Sequence, residues 1–171
     1  MAKARTNKSF SGRERSTAEI STPDKPVNEM LDQLPEHVWQ SGHTFLDPAC
    51  GSIDHDGFVP WALRRKLAHG CMVMEALKDI HGVELRADNL DECRRRLLAI
   101  VVEHEQVTIN HILVVLTNVR QGDTLKDPIG TDAWWVPVSR EEAVEWCGIN
   151  QLCISTATPP EPPASPKPAR Q

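Results

Sequence analysis

Two short apolar runs and the end of a third short strand, each meeting an acidic residue and separated from the next by helical stretches, constrain this chain most. They are His43-Thr-Phe-Leu-Asp47, Ile80-His-Gly-Val-Glu-Leu85 and Val119-Arg-Gln-Gly-Asp123. Runs this short and apolar suit strands covered on both faces. Strands alternating with helices imply a parallel sheet joined by right-handed crossovers, so the predicted class is α/β with flanking helices.

The stretches between the runs carry helical periodicity. Thr22-Pro-Asp-Lys-Pro26 reads as a turn, with Pro26 in the first turn of a helix whose Val27, Met30, Leu31 and Leu34 share one face; Pro35 tends to end it. A second helix is predicted over Phe58 to Leu67, with Pro60 in its first turn. Asn89 to Val102 is strongly amphipathic, with Leu90, Cys93, Leu97 and Ile100 inward and Arg94, Arg95 and Arg96 largely outward. Val107 to Leu116 fits a helix or a strand, and periodicity does not choose. Beyond Leu125 there is room for one strand, Ala133 to Val138, and a short helix, Arg140 to Cys147. Ser139 would cap that helix, with Glu142 three residues on.

Composition sets the boundaries. Residues 1–16 are basic and polar and read as a mobile N-terminus, residues 17–154 as one folded domain, and residues 155–171 as a proline-rich tail unable to form a ladder or helix. A hydrophobic content of 40% with 25% charged residues is that of a globular chain, not a disordered one. A net charge of −5 gives no global basic field of the kind a stand-alone nucleic-acid binder carries, though a local patch stays open. No apolar run has membrane-spanning length and no secretory signal follows the basic start, so no membrane is expected. The cysteines at 50, 71, 93, 147 and 153 form no C-x-x-C pair. They read as free thiols in a reducing, cytoplasmic compartment. Asp54, His55 and Asp56 are neighbours in one loop, which rarely completes a metal shell, so no metal is expected.

Open α/β sheets bind ligands outside the carboxyl ends of their strands. The loop after the first run is Asp47-Pro48-Ala49-Cys50-Gly51, where small residues let backbone approach a ligand and the next helix presents free N–H groups. Glu84 closes the second run and suits the two hydroxyls of a ribose. Asp123 follows the third, as a ligand or as a turn acid. An acidic rim of this kind suits a cationic cofactor better than a phosphate-rich one.

Thr44-Phe-Leu-Asp-Pro-Ala-Cys-Gly-Ser52 resembles motif I of adenine-N6 DNA methyltransferases of restriction–modification and phage type, which commonly reads F-L-D-P-A-C-G-S-G-x-F. Ile20-Ser-Thr-Pro-Asp-Lys-Pro-Val-Asn-Glu-Met-Leu31 is similar to the family's T-P segment, Ile80–Leu85 to its motif II strand, and Asn118-Val-Arg-Gln-Gly-Asp-Thr-Leu125 to motif III. The resemblance covers residues 20–125 and implies the S-adenosylmethionine-binding half of such an enzyme, with a partial Rossmann-like class I methyltransferase fold of fewer strands than the full one. It implies that Thr22 and Pro23 flank the methionine end. Asp47, Pro48, Ala49 and Gly51 would form the cofactor loop, Glu84 would hold the ribose and Asp123 the adenine.

Two departures stand out. Ile53-Asp-His-Asp56 intervenes before Gly57-Phe58, an insertion inside the cofactor loop. The catalytic string, Asn or Asp followed by Pro-Pro and an aromatic, which accepts hydrogen bonds from a flipped adenine and stacks on it, is missing. Asp127-Pro-Ile-Gly130 is nearest but has one proline and no aromatic in place; Trp134 and Trp135 suit packing better than base stacking. No catalytic residue is therefore named. The expectation is a DNA methyltransferase-like protein, truncated or split, whose half-sheet is covered by a partner chain or a second copy. The competing expectation is a non-catalytic protein that keeps the cofactor site or works by association; a methyltransferase of small molecules or proteins ranks last.

Overall fold

The computed structural model describes residues 22–51, 55–126 and 135–152. The expectations for residues 1–16, Asp54, Asp127–Gly130, Trp134 and the proline-rich tail lie outside them. The order is α1 (Asp24–Leu31), a 3-10 turn (Glu36–Trp39), β1 (Phe45–Asp47), α2 (Phe58–Ala68), α3 (Val73–Lys78), β2 (Ile80–Glu84), α4 (Ala87–His104), α5 (Ile109–Asn118), β3 (Val119–Gln121) and α6 (Arg140–Ile149). The three strands form one parallel sheet in the order β1-β2-β3, with Asp47 opposite Gly82 and Glu84 opposite Gln121. Two-helix crossovers make both parallel pairings possible.

Three of the helices, α2, α5 and α6, start where the sequence supplies a start. Gly57 takes a positive φ of 78° ahead of α2, a conformation without steric penalty in glycine, and Pro60 falls in the first turn, where an absent N–H leaves no bond unmade. Thr108 and His111 close a reciprocal capping box on α5, and Ser139 and Glu142 do the same on α6 as the sequence predicts. The capped start makes this segment, for which periodicity does not choose between helix and strand, helical from Ile109 over the ten residues Ile109–Asn118, with Val107 and Thr108 left outside the helix. α4 is uninterrupted by Gly or Pro over 18 residues and buries Leu90, Cys93, Leu97, Ile100 and Val101. A fully buried Leu of this kind stabilises by roughly 1.5–3 kcal/mol. α2 packs on β1, β2 and α4, and α5 packs on α3, α4 and α6, so one core joins sheet and helices.

Three expectations are corrected. Arg94 does not face outward: its Nε and Nη2 donate to the Val119 carbonyl at 3.0 and 2.8 Å, pinning the start of β3 to α4. Arg96 is also largely covered, with Nε 2.9 Å from Glu92, which leaves Arg95 as the outward member of the triplet. Met30 and Leu34 do not join Val27 and Leu31 in the core, because α1 stops at Leu31 and Met30 is 56% exposed. Residues 135–138 form no strand; Pro137 lacks a ladder donor, the Val136 carbonyl takes Arg120, and the Val138 N–H donates to the Thr117 hydroxyl. Trp135 instead meets the His81 ring edge-on, centroids 4.7 Å apart.

At the amino edge of the sheet lies a buried ion pair. Lys66 is fully buried, with Nζ 2.8 Å from Asp79 Oδ2 and 2.7 Å from the Gln40 carbonyl; the same Asp79 oxygen accepts the Gly42 N–H. Among the described residues no helix is long and apolar enough to cross a membrane, and Cys50, Cys71, Cys93 and Cys147 are free.

Candidate cofactor site

A cleft of about 420 Å³ opens at the carboxyl end of β1. Its lining includes Thr22, Asp47, Pro48, Ala49 and Gly51, five of the eight residues singled out from the sequence. Val27 and Met30 from α1, Leu46, Cys50, Gly57 and Phe58 complete it. The apolar members were legible as helix and strand faces but carried no sign of where those faces would meet.

Asp47 is the last residue of β1, and its Oδ1 accepts the Ala49 N–H at 2.9 Å, folding the Pro48-Ala49 turn back on itself. Burial raises its carboxyl above the usual aspartate value; the Ala49 bond opposes this and the neighbouring Glu84 charge adds to it. Two carboxylates at adjacent strand ends thus feel one another, and Asp47 is the one that lines the cleft.

Glu84, the last residue of β2, is buried behind the cleft loop. Its Oε2 accepts the Gly51 N–H at 3.0 Å and its Oε1 the Arg86 N–H at 2.9 Å. Gly51 is glycine for lack of room: a Cβ there would lie 2.6 Å from Asn89 Cβ and 2.7 Å from Glu84 Cγ. Gly82 has the same reason on the strand itself, since its Cβ would meet Cys50 Sγ at 2.5 Å. A hydrogen bond between the Cys50 and Cys93 thiols, with burial, pushes the Cys50 thiol well above its ordinary value.

Asp123 lies two residues past β3 and outside the cleft lining. Its carboxylate takes Lys126 Nζ at 3.0 Å and the Leu125 N–H at 3.1 Å, and these bonds, the lysine first, hold it below the usual aspartate value. The same turn reaches the first loop, where the Thr124 hydroxyl donates to the Pro48 carbonyl at 3.2 Å. Pro23 stands outside the lining as the residue before α1, with extended backbone.

The three loops therefore meet at one edge, the first bonded to Glu84 through Gly51 and to the third through Thr124. His55 and Asp56, the described end of the insertion, lead into Gly57 and Phe58 on the cleft wall. Among the described residues no three metal-ligating side chains converge. No family model, curated protein or solved structure matches this chain.

Proposed function

We propose that this chain is a methyltransferase-like protein that binds S-adenosylmethionine in the cleft at the end of β1, as the cofactor-holding half of an adenine-specific DNA methyltransferase of phage or restriction–modification type. One observation carries the reading. Three parallel strands in the order β1-β2-β3 deliver Asp47, Glu84 and Asp123 to one edge, where the loop after β1 lines a small-molecule-sized cleft and is hydrogen-bonded from behind to Glu84 and to the third loop through Thr124. The lining mixes apolar side chains with carboxylate, which suits a ligand that is part nucleoside and part cation.

In this reading Asp47 attracts the ammonium and sulfonium charges, and the uncapped first turn of α2 beside Gly57 offers N–H groups to the amino-acid carboxylate. Val27, Met30 and Leu46 exclude water from the thioether arm. Glu84 spends one lone pair of each oxygen on backbone, which leaves acceptor capacity for ribose hydroxyls. The fold is then a partial Rossmann-like sheet, and an additional strand from a partner chain or second copy would cover its edge.

The second reading, a non-catalytic cofactor-binding or interaction protein, is favoured by the missing Asn/Asp-Pro-Pro-aromatic string. One pair of measurements tests both. Calorimetric titration with S-adenosylmethionine is expected to show binding by the wild type and at least tenfold weaker binding by Asp47→Asn. Methyl transfer to adenine-containing DNA then separates the readings: transfer by the chain alone rejects the second, and binding without transfer supports it. Absence of binding by a folded wild type removes both cofactor readings.

A further inference from the structure

We infer that Asp24 is a positioning residue of the cleft: its carboxylate ties the two walls together across the loop insertion and so sets ligand affinity without touching the ligand. Asp24 Oδ1 accepts the Asp56 N–H at 3.3 Å and the Trp61 indole N–H at 3.1 Å, reaching 32 and 37 residues along the chain. The first wall is α1, which begins at Asp24 and gives Val27 and Met30 to the cleft, with Thr22 just before it. The second is the start of α2, where Gly57 and Phe58 follow Asp56 directly and Trp61 lies one turn on.

The rest of α1 has other anchors. Leu31 is fully buried, and Arg65 of α2 bonds the Asn28 carbonyl, Asn28 Oδ1 and Asp32. Those contacts fix the C-terminal half of the helix, which carries Met30, whereas Asp24 fixes the first turn, beside Thr22 and Val27 of the cleft lining. The insertion that departs from the resembled loop pattern ends on Asp56, so Asp24 captures the residue where the longer loop rejoins α2. Asp56 is held on its other side too, with Oδ1 4.0 Å from Arg96 Nε on α4. A wall that is placed in advance loses less freedom when a ligand arrives, and affinity rises accordingly.

The identity of the ligand rests on the proposed function; the clamp does not. The competing role for Asp24 is simple compensation of the α1 dipole, which needs charge and not a directed acceptor. Asp24→Asn keeps an Oδ1 acceptor and loses the charge, Asp24→Ala loses both, and Trp61→Phe removes one donor while keeping a ring. Titration with S-adenosylmethionine is expected to show about tenfold weaker binding for Asp24→Ala, the equivalent of one net hydrogen bond. Trp61→Phe is expected to weaken binding less, and Asp24→Asn to stay within about twofold of wild type. Ala within twofold of wild type, or Asn as weak as Ala, overturns the inference.

Amide hydrogen exchange without ligand supplies the arm that is independent of the cofactor. Asp24→Ala is expected to speed exchange at Asp56 and in the first turn of α1 while α4 keeps its protection. If the wild type binds no S-adenosylmethionine, the functional reading falls and this arm still decides on the clamp. Unchanged exchange at Asp56 rejects it.

Discussion

Glu84 Oε2 lies 3.0 Å from the Gly51 amide nitrogen and accepts its hydrogen, so the carboxylate ending β2 holds the loop that follows β1. Its other oxygen takes the Arg86 N–H at 2.9 Å. A residue read from sequence as a ribose ligand is seen to brace the first loop, and Glu84→Gln probes that brace. Glu84→Gln must turn its NH2 group toward one of two N–H donors. Leaving a buried donor unmatched costs about 1–3 kcal/mol, which urea denaturation would read as a lower midpoint at unchanged slope. Glu84→Ala is expected to lose both this brace and cofactor affinity. Cofactor titrations on Glu84 variants are therefore read against their stability.

Asp47 gives the cleft a pH dependence. Its carboxyl is raised by burial first and by the Glu84 charge besides, against the Ala49 bond, so it takes up a proton at a higher pH than an ordinary aspartate. A cationic ligand binds the ionised form, so affinity falls as pH drops through that raised value, by up to about tenfold per unit below it. For stability the sign is opposite. The folded state holds the proton more tightly, so Asp47 favours folding at low pH and loses that contribution as pH rises from the ordinary value through the raised one. Titrations of wild type and Asp47→Asn between pH 4 and 8 check this; an identical pH profile for both counts against it.

Gly51→Ala is expected to destabilise by about 1–3 kcal/mol, because the new methyl lies within 2.7 Å of Asn89 Cβ and both Glu84 Cγ and Oε2. Relief requires Glu84 to swing away from the loop, so thermal unfolding and cofactor titration are both expected to respond. A variant as stable as wild type would show that the approach of loop to strand is looser than these distances.

Removing one partner of the Lys66–Asp79 pair strands a buried charge. Asp79→Ala is expected to cost about 3–5 kcal/mol in chemical denaturation, and the double variant Lys66→Met with Asp79→Ala distinctly less. The Gly42 N–H, which loses its acceptor in either case, keeps the double variant below wild type. Equal losses in single and double variants would mean that Asp79 acts through Gly42 alone.

Thiol reactivity follows burial. Cys50 and Cys93 are 2% and 1% exposed, and the Cys50 thiol is pushed up by its hydrogen bond to Cys93 and by burial, so little thiolate forms at neutral pH. Cys71 is half-buried and donates to the Trp39 carbonyl at the other edge of the sheet. Among the described cysteines, peptide mapping after brief iodoacetamide treatment of the native protein is expected to find Cys71 modified ahead of Cys50 and Cys93. Early labelling of Cys50 would mean that the cleft loop opens readily.

The courses of β1, β2 and β3, the place of Pro60 in α2, the inward face of α4 with Leu90, Cys93, Leu97 and Ile100, and the start of α6 at Ser139 and Glu142 were all legible in the amino-acid order. These are local matters, set by backbone propensity, periodicity and caps within a few residues. Packing settled that Arg94 turns inward to the Val119 carbonyl, that Val136 and Val138 give their backbone groups to side chains, and that Asp24 meets Asp56 and Trp61. Each of those turns on a partner supplied from another part of the fold. An apolar run looks the same whether a helix or a strand buries it, and a charged side chain turns inward only where packing brings it an acceptor. The acids were legible because strand ends are local; whether each serves a ligand, a loop or a turn depends on neighbours more than thirty residues away for Glu84 and only three for Asp123.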